Sequence, residues 1–146
     1  TMHKLAPEIQ SQLTIPILHI ADATAQSLID DGVTRVGLLG TRYTMEQDFY
    51  TSRLTEGFGI EVVLPSSEQR TLVHNIIYEE LCQGKIHDSS RQIYRDIIHS
   101  LAAQGAQAVI LGCTEIALLI SATDTDVPLY DTTAIHAQAA VNFALE

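Results

Sequence analysis

Positive charge is scarce in this sequence. Its 146 residues carry 8 Lys and Arg against 18 Asp and Glu, a formal net charge of −10 at pH 7, and that balance repels phosphate backbones and anionic lipid headgroups alike. It argues against nucleic acid and membrane surfaces as partners. Cysteine is scarce too: Cys82 and Cys113 are the only two, too few for a secreted disulfide scaffold and without CxxC or Cys/His ligand spacing. That usage fits a reducing cytoplasm, and no metal site is legible. No apolar run approaches the ~18 to 20 residues a membrane helix needs, the longest being Ile116 to Ile120 and its neighbours. The segment Thr1 to Gln12 lacks the cationic start, continuous apolar block and small-residue cleavage site of a secretory signal. Internal repeats and low-complexity linkers are missing, and neither GxxxxGK(S/T) nor GxGxxG occurs, so the phosphate loops they mark are not expected.

What is present is a soluble-domain composition, 46% hydrophobic and 18% charged over 146 residues, which suits one globular unit. A folded chain of this size buries roughly 70% of the surface its unfolded form exposes, so disulfide or metal staples are unnecessary. Short β-rich apolar blocks alternate with helical patterns, the signature of an α/β fold with a parallel sheet and crossover helices. The expected strands are Ile15 to Ile20, Val33 to Leu39, Ile60 to Leu64, Ala108 to Leu111 and Val127 to Tyr130, mostly continuous apolar runs suited to burial on both faces. Helices are expected near Asp22 to Asp30, Met45 to Glu56, Glu68 to Cys82, Arg91 to Ala103, Glu115 to Ser121 and Thr133 to Leu145. Ile93, Ile97, Ile98 and Leu101 form the clearest stripe of 3.6-residue period. Asp22 stands where an N-cap belongs, Ser89 and Ser90 can cap the following helix, and Gly32 and Gly105 close helices. Leu5, Ile9 and Leu13, spaced by four, read as an amphipathic helix at the start of the chain, which raises the expectation of an upstream segment.

The strand ends carry the candidate chemistry. Strand Ala108 to Leu111 runs into Gly112-Cys113-Thr114-Glu115 and a helix, so Cys113 is expected at the carboxyl edge of the sheet, where open α/β folds bind ligands. A thiol at a helix N-terminus is expected to have a lowered pKa and to serve as nucleophile or proton-transfer base; the alternative is a small buried hydrophobe. Gly112 allows close backbone approach, and Thr114 can cap a helix or hold a carboxylate. Gly40-Thr41-Arg42-Tyr43-Thr44-Met45, after strand Val33 to Leu39, is either an anion cradle or a simple helix cap. A helix that precedes a parallel strand must descend from the carboxyl edge, which places Gly84 to Ser90, with Lys85, His87 and Asp88, on that edge. A lysine there can meet an anionic substrate. Cys82, in a helical pattern with Ile77, Tyr78 and Leu81, reads as packing; His19 and His136 read as structural or surface histidines; Asp131 reads as a cap for the last helix.

GCTE after one apolar strand, GTRYTM after another, the opening TMHK and the closing PLYDTTAIHAQAA together resemble the aspartate/glutamate racemase family, the cofactor-independent amino-acid racemases. The resemblance spans essentially the whole chain, and GCTE is its most specific piece, since related glutamate racemases usually carry GCTH. It implies two flavodoxin-like halves facing each other across a cleft, of which this sequence matches the later part: residues 1–14 as a helix belonging to the first half, 15–126 as the second α/β domain, and 127–146 as a final strand and helix returning to the first. It implies Cys113 as one acid/base, its opposite number being the cysteine, or the threonine that replaces it in some members, of a Cys-Asn-Thr motif whose last residue is Thr1. Thr1, Thr41 and Thr114 are implied to hold the substrate α-carboxylate and amine, and Lys85 a side-chain carboxylate. No cofactor is implied, the partner is a small amino acid, and the full-length protein is implied to be a homo-oligomer, a dimer. Maleate isomerase, hydantoin racemase or arylmalonate decarboxylase activity, or a noncatalytic ligand-binding domain, are the alternatives.

Overall fold

A computed structural model describes residues 2–145. A 3-10 turn (Met2–Leu5) leads into α1 (Ala6–Gln10), α2 (Ile20–Asp30), β1 (Arg35–Leu39), α3 (Arg42–Glu46), α4 (Asp48–Phe58), β2 (Glu61–Val63) and α5 (Ser67–Glu79). A second 3-10 turn (Leu81–Gln83), α6 (Asp88–Ala103), β3 (Ala108–Leu111), α7 (Ile116–Leu119), β4 (Leu129–Asp131) and α8 (Thr132–Leu145) complete the chain. The four strands form one parallel sheet in the order β2-β1-β3-β4, so the α/β class expected from the alternating pattern is the one observed.

Alternation along the strands splits the core into two layers. Val36 and Leu38 of β1 and Ala108 and Ile110 of β3 join Ala21, Ala25, Leu28, Tyr50 and Leu54 on the α2 and α4 side. Leu39, Val109 and Leu111 face the other way, onto Val73, Ile77, Tyr94, Ile97, Ile98 and Leu101 of α5 and α6. Successive strand side chains point to opposite faces, and both faces here are covered by helices. That explains why β1 and β3 read as unbroken apolar runs. The predicted stripe on α6 is real, with Ile97, Ile98 and Leu101 buried. Close packing reaches the backbone at Gly37, where an added Cβ would stand 2.9 Å from Cδ1 of Leu101.

The expected strand Ile15 to Ile20 does not form; its last residue begins α2. Pro16 has no N–H for a ladder, Ile15 and Leu18 are exposed, and the Ile17 N–H donates to the Gln10 side chain instead of a strand, at 2.7 Å. The single helix expected over Met45 to Glu56 is two, broken at Gln47, whose extended backbone (φ −90°, ψ 145°) ends α3 and starts α4. Helix Glu68 to Cys82 stops at Glu79 and continues only as the 3-10 turn. Cys82, expected to pack, is exposed there. His19, not Asp22, caps α2: its Nδ1 accepts the Ala21 N–H at 3.1 Å, while Asp22 pairs with the Arg53 guanidinium from α4. Ser90 is not a cap either, since α6 starts at Asp88 and the Ser90 hydroxyl donates to Glu80 at 2.6 Å. Gly32 and Gly105 do close helices, both with positive φ. Asp131 caps α8, its Oδ1 accepting the Thr133 and Ala134 N–H groups at 2.9 and 3.3 Å, and His136 is structural, its Nε2 lying 2.8 Å from the Leu18 carbonyl oxygen.

Candidate active site

Strand order fixes where a site can lie. From β1 the chain moves outward to β2 and then crosses to β3 on the other flank of β1, so the connections after β1 and β3 leave on opposite faces of the sheet. Ligands of open α/β sheets bind at such a reversal, outside the carboxyl ends of the strands. The two loops that meet here are the two singled out from sequence, Gly40–Met45 and Gly112–Glu115. They touch through their glycines. The Gly112 N–H donates to the Leu39 carbonyl at 2.7 Å, and a Cβ on Gly112 would stand only 2.8 Å from that oxygen. The start of α8 joins them, the Thr132 hydroxyl donating to the Leu111 carbonyl at 3.0 Å.

Cys113 sits half-buried in this junction, packed against the layer that holds Tyr94 and Leu81. Its Sγ–H donates to Oε2 of Glu115 at 2.8 Å, and the Thr114 hydroxyl donates to the same oxygen at 2.7 Å. The sequence led us to expect a lowered thiol pKa; the structure reverses this. Burial pushes the Cys113 thiol up to about 12, and the hydrogen bond to Glu115 and its negative charge add to the rise. The Glu115 carboxyl moves the opposite way, held below its ordinary value by the Cys113 and Thr114 donors. The helix argument fails because α7 is a single turn, Ile116–Leu119, with few peptide dipoles to sum, whereas a carboxylate stands against the sulfur. At neutral pH the pair is a thiol beside a carboxylate.

Thr41 behaves as the simpler of its two readings. It is the N-cap of α3, its Oγ1 accepting the Thr44 N–H at 3.4 Å, with the two hydroxyl oxygens 3.3 Å apart. In this loop it is Thr44 that reaches Gly112, its Cγ2 lying 3.5 Å from where a Cβ on that glycine would stand. Lys85 is exposed and its Nζ donates to the Gln83 side chain at 2.7 Å. The turn Leu81–Gln83 that precedes it packs on α7, which begins at the end of β3, so its loop is on the carboxyl side as the topology requires. No hydrogen bond ties Lys85 to Cys113 among the described residues. Thr1 lies outside the described residues. No group of three or more His, Cys, Asp or Glu side chains among the described residues is arranged to hold a metal, and no helix there is long and apolar enough to cross a membrane.

Against known families, the pattern of Asp/Glu/Hydantoin racemases matches residues 1–140. The chain belongs to that family. Its fold superposes with a TM-score of 0.96 on a crystal structure of an Asp/Glu racemase candidate from Yersinia pestis, 56% identical, over 99% of this chain and 63% of that one. An aspartate racemase homologue from Pyrococcus horikoshii OT3 gives a TM-score of 0.90 at 37% identity, over 99% of this chain and 63% of the other. The broad specificity amino-acid racemase RacX of Bacillus subtilis (strain 168) is 24% identical over 97% of this chain and 60% of its own length. The chain thus spans about three fifths of the length of the relatives it matches.

In this racemase-family chain the residue that sequence reasoning passed over is Glu115. It was visible only as the last letter of GCTE, whereas the structure makes it the group in direct contact with Cys113. The available signal was spacing: in a tight strand-to-helix turn a side chain two positions on is close enough to return to the first.

Proposed function

We propose that this chain carries one half of the proton-transfer machinery of a cofactor-independent amino-acid racemase, acting on acidic or broader amino acids. The observation that carries the reading is the position of Cys113. In a member of the Asp/Glu/Hydantoin racemase family, a thiol stands at the strand-order reversal, on one of the two threonine-bearing loops that meet there. Racemisation takes the Cα proton from one face and returns a proton to the other, so it needs two carriers on opposite sides of the carbon. Cys113 is the carrier on this side. The thiol, protonated at neutral pH, is an acid ready to protonate a carbanion. Thr41 and Thr114 would hold the α-carboxylate, where negative charge accumulates as the proton leaves, Thr1 would assist them, and Lys85 would meet a side-chain carboxylate. We place the opposed carrier in the part of the relatives that extends beyond the matched three fifths. The exposed apolar side chains of α1 and α8, Ile9, Val141 and Phe143 among them, would then pack on that part.

Exchange of the Cα hydrogen of aspartate and glutamate for deuterium, followed by NMR alongside a polarimetric assay, tests this on the 146-residue chain and on the longest polypeptide that contains it. The longer protein is expected to racemise and the short chain not to. Cys113→Ala is expected to abolish turnover in the longer protein, and turnover retained by that variant sinks the reading. No exchange with any amino acid, in a protein that still binds one, identifies a noncatalytic ligand-binding domain.

A further inference from the structure

Helix α3 is only five residues long, too short to stand on its own backbone bonds, yet it opens at Thr41, to which the reading above gives the substrate carboxylate. Its support comes from α5. That helix is a firm platform, opened by a capping box between Ser66 and Gln69 and seated by buried Val73, Ile76 and Ile77. Three of its side chains reach α3. Arg70 Nε donates to Glu46 Oε1, Thr71 Oγ1 accepts from Arg42 Nη2, and His74 Nδ1 accepts the backbone N–H of Arg42, each at 3.1 Å. The first two end on the tip of an arginine, which can swing without moving the backbone. Of the three, His74 alone grips the main chain.

The peptide that His74 holds joins Thr41 to Arg42, and its orientation sets ψ of Thr41, which is 162°. Its other side is held too, the Thr41 carbonyl accepting the Met45 N–H at 3.0 Å. The Thr41 hydroxyl is by contrast lightly tied. The N–H and the hydroxyl oxygen of Thr44 lie 3.4 and 3.3 Å from its oxygen, beyond the usual range of hydrogen bonding, so its place follows from the backbone that bears it. An accepting ring nitrogen carries no proton, which leaves the imidazole proton on Nε2, and the Tyr78 ring packs beside the imidazole with centroids 4.8 Å apart. We propose, building on the racemase reading above, that His74 is a positioning residue: by holding the Arg42 N–H it fixes the Thr41 hydroxyl for the substrate α-carboxylate. Charge accumulates on that carboxylate as Cα loses its proton, so a loosened hydroxyl weakens the transition state along with the bound substrate. His74 acts through Thr41 and carries no proton in the reaction.

His74→Leu removes the acceptor, and His74→Asn restores one, since asparagine Oδ1 falls close to where histidine Nδ1 stands. Amide hydrogen exchange of the 146-residue chain, followed by NMR, tests the grip itself. The Arg42 N–H should exchange about 5-fold faster or more in His74→Leu, the loss of one hydrogen bond, and stay within about twofold of the parent in His74→Asn. In the racemising polypeptide His74→Leu should lose about 5-fold in kcat/KM on the same ground, and His74→Asn should recover most of it. Two competitive inhibitors of aspartate turnover separate positioning from disruption: succinate keeps the α-carboxylate, and β-alanine is aspartate without it. For a parent that prefers glutamate, glutarate and γ-aminobutyrate take their places. In His74→Leu inhibition by succinate should weaken about 5-fold while that by β-alanine stays within about twofold, a split that general loosening does not give. A thermal melt confirms folding, and His74→Ala replaces His74→Leu if the latter does not fold. Unchanged Arg42 exchange overturns the grip. Equal weakening of both inhibitors, or no recovery in His74→Asn, overturns the positioning role. Absence of turnover in the parent overturns the racemase reading and the catalytic role with it, while Arg42 exchange separately decides whether His74 holds the loop.

Discussion

Acid should destabilise this chain through His19, beginning at a pH where carboxylates are still ionised. The imidazole is 5% exposed and holds the amino end of α2 by accepting the Ala21 N–H at Nδ1, 3.1 Å away. An accepting ring nitrogen carries no proton, so the folded chain favours neutral histidine. Burial is the main reason its pKa falls from 6.5 to about 4; the Arg53 guanidinium and His3 push the same way, and Asp22 pushes against them. His3, whose ring lies 5.3 Å from that of His19, is also shifted down, and His136 faces the same corner through the Leu18 carbonyl. Between the two values the unfolded chain binds a proton that the folded chain refuses. The stabilisation is therefore complete above ~6.5 and is lost as pH falls toward 4. At ~1.4 kcal/mol per pH unit, the interval from 6.5 to about 4 amounts to about 3 kcal/mol, a large part of the 5–15 kcal/mol typical of a domain. His19→Asn is the control, since asparagine is among the best N-caps and does not titrate. Urea denaturation of both proteins near pH 7, 5.5 and 4.5 is the assay. The two should agree within about 1 kcal/mol at neutral pH and separate by about 2–3 kcal/mol at the lowest, the variant being the more stable. Every other titrating group is common to both, so parallel pH curves would refute the assignment.

Three further outcomes follow from the site. Iodoacetamide near neutral pH should label exposed Cys82 well before Cys113, which is half-buried and whose thiol, pushed up to about 12, yields little thiolate there. Peptide mass mapping reads it, and equal labelling counts against the burial of Cys113. Gly112→Ala should cost about 1–3 kcal/mol in urea denaturation, because its Cβ would stand 2.8 Å from the Leu39 carbonyl oxygen and 3.2 Å from Leu38 Cδ1; unchanged stability would mean the strand ends part freely. Lys85→Ala should raise KM for aspartate or glutamate at least about tenfold more than for a neutral amino acid, the loss expected of a charged contact; equal effects would make Lys85 structural.

Much of the fold was legible because burial on both faces leaves a plain trace. β1 and β3 lie in the middle of the sheet, and their buried stretches, 36–39 and 108–111, carry no polar side chain. The misreadings fall where local pattern and tertiary contact diverge. Ile15 to Ile20 is as apolar as a central strand, yet Pro16 and the Gln10 side chain keep it out of the ladder. Met45 to Glu56 has helical composition throughout, and only the extended backbone at Gln47 shows that two helices meet there. Asp22 looked like a cap because aspartate is a good one; the Arg53 side chain, 31 positions away in sequence, claimed it instead, and His19 took the capping role.

The candidate site divides in the same way, between what a strand end determines and what only packing determines. Placing Cys113 on the carboxyl edge needed nothing beyond a short apolar strand followed by Gly-Cys-Thr-Glu and a helix, and the reversal between β1 and β3 then brings the Gly40–Met45 loop against it. The ionisation of the thiol was not determined by those facts. A helix N-terminus lowers a thiol pKa in proportion to the dipoles behind it, and α7 supplies one turn of them. Burial and a carboxylate at hydrogen-bonding distance act against that, and each is the larger influence. Burial alone sets the sign of the shift, and the Glu115 carboxylate, whose Oε2 also accepts the Thr114 hydroxyl, adds to it in the same direction.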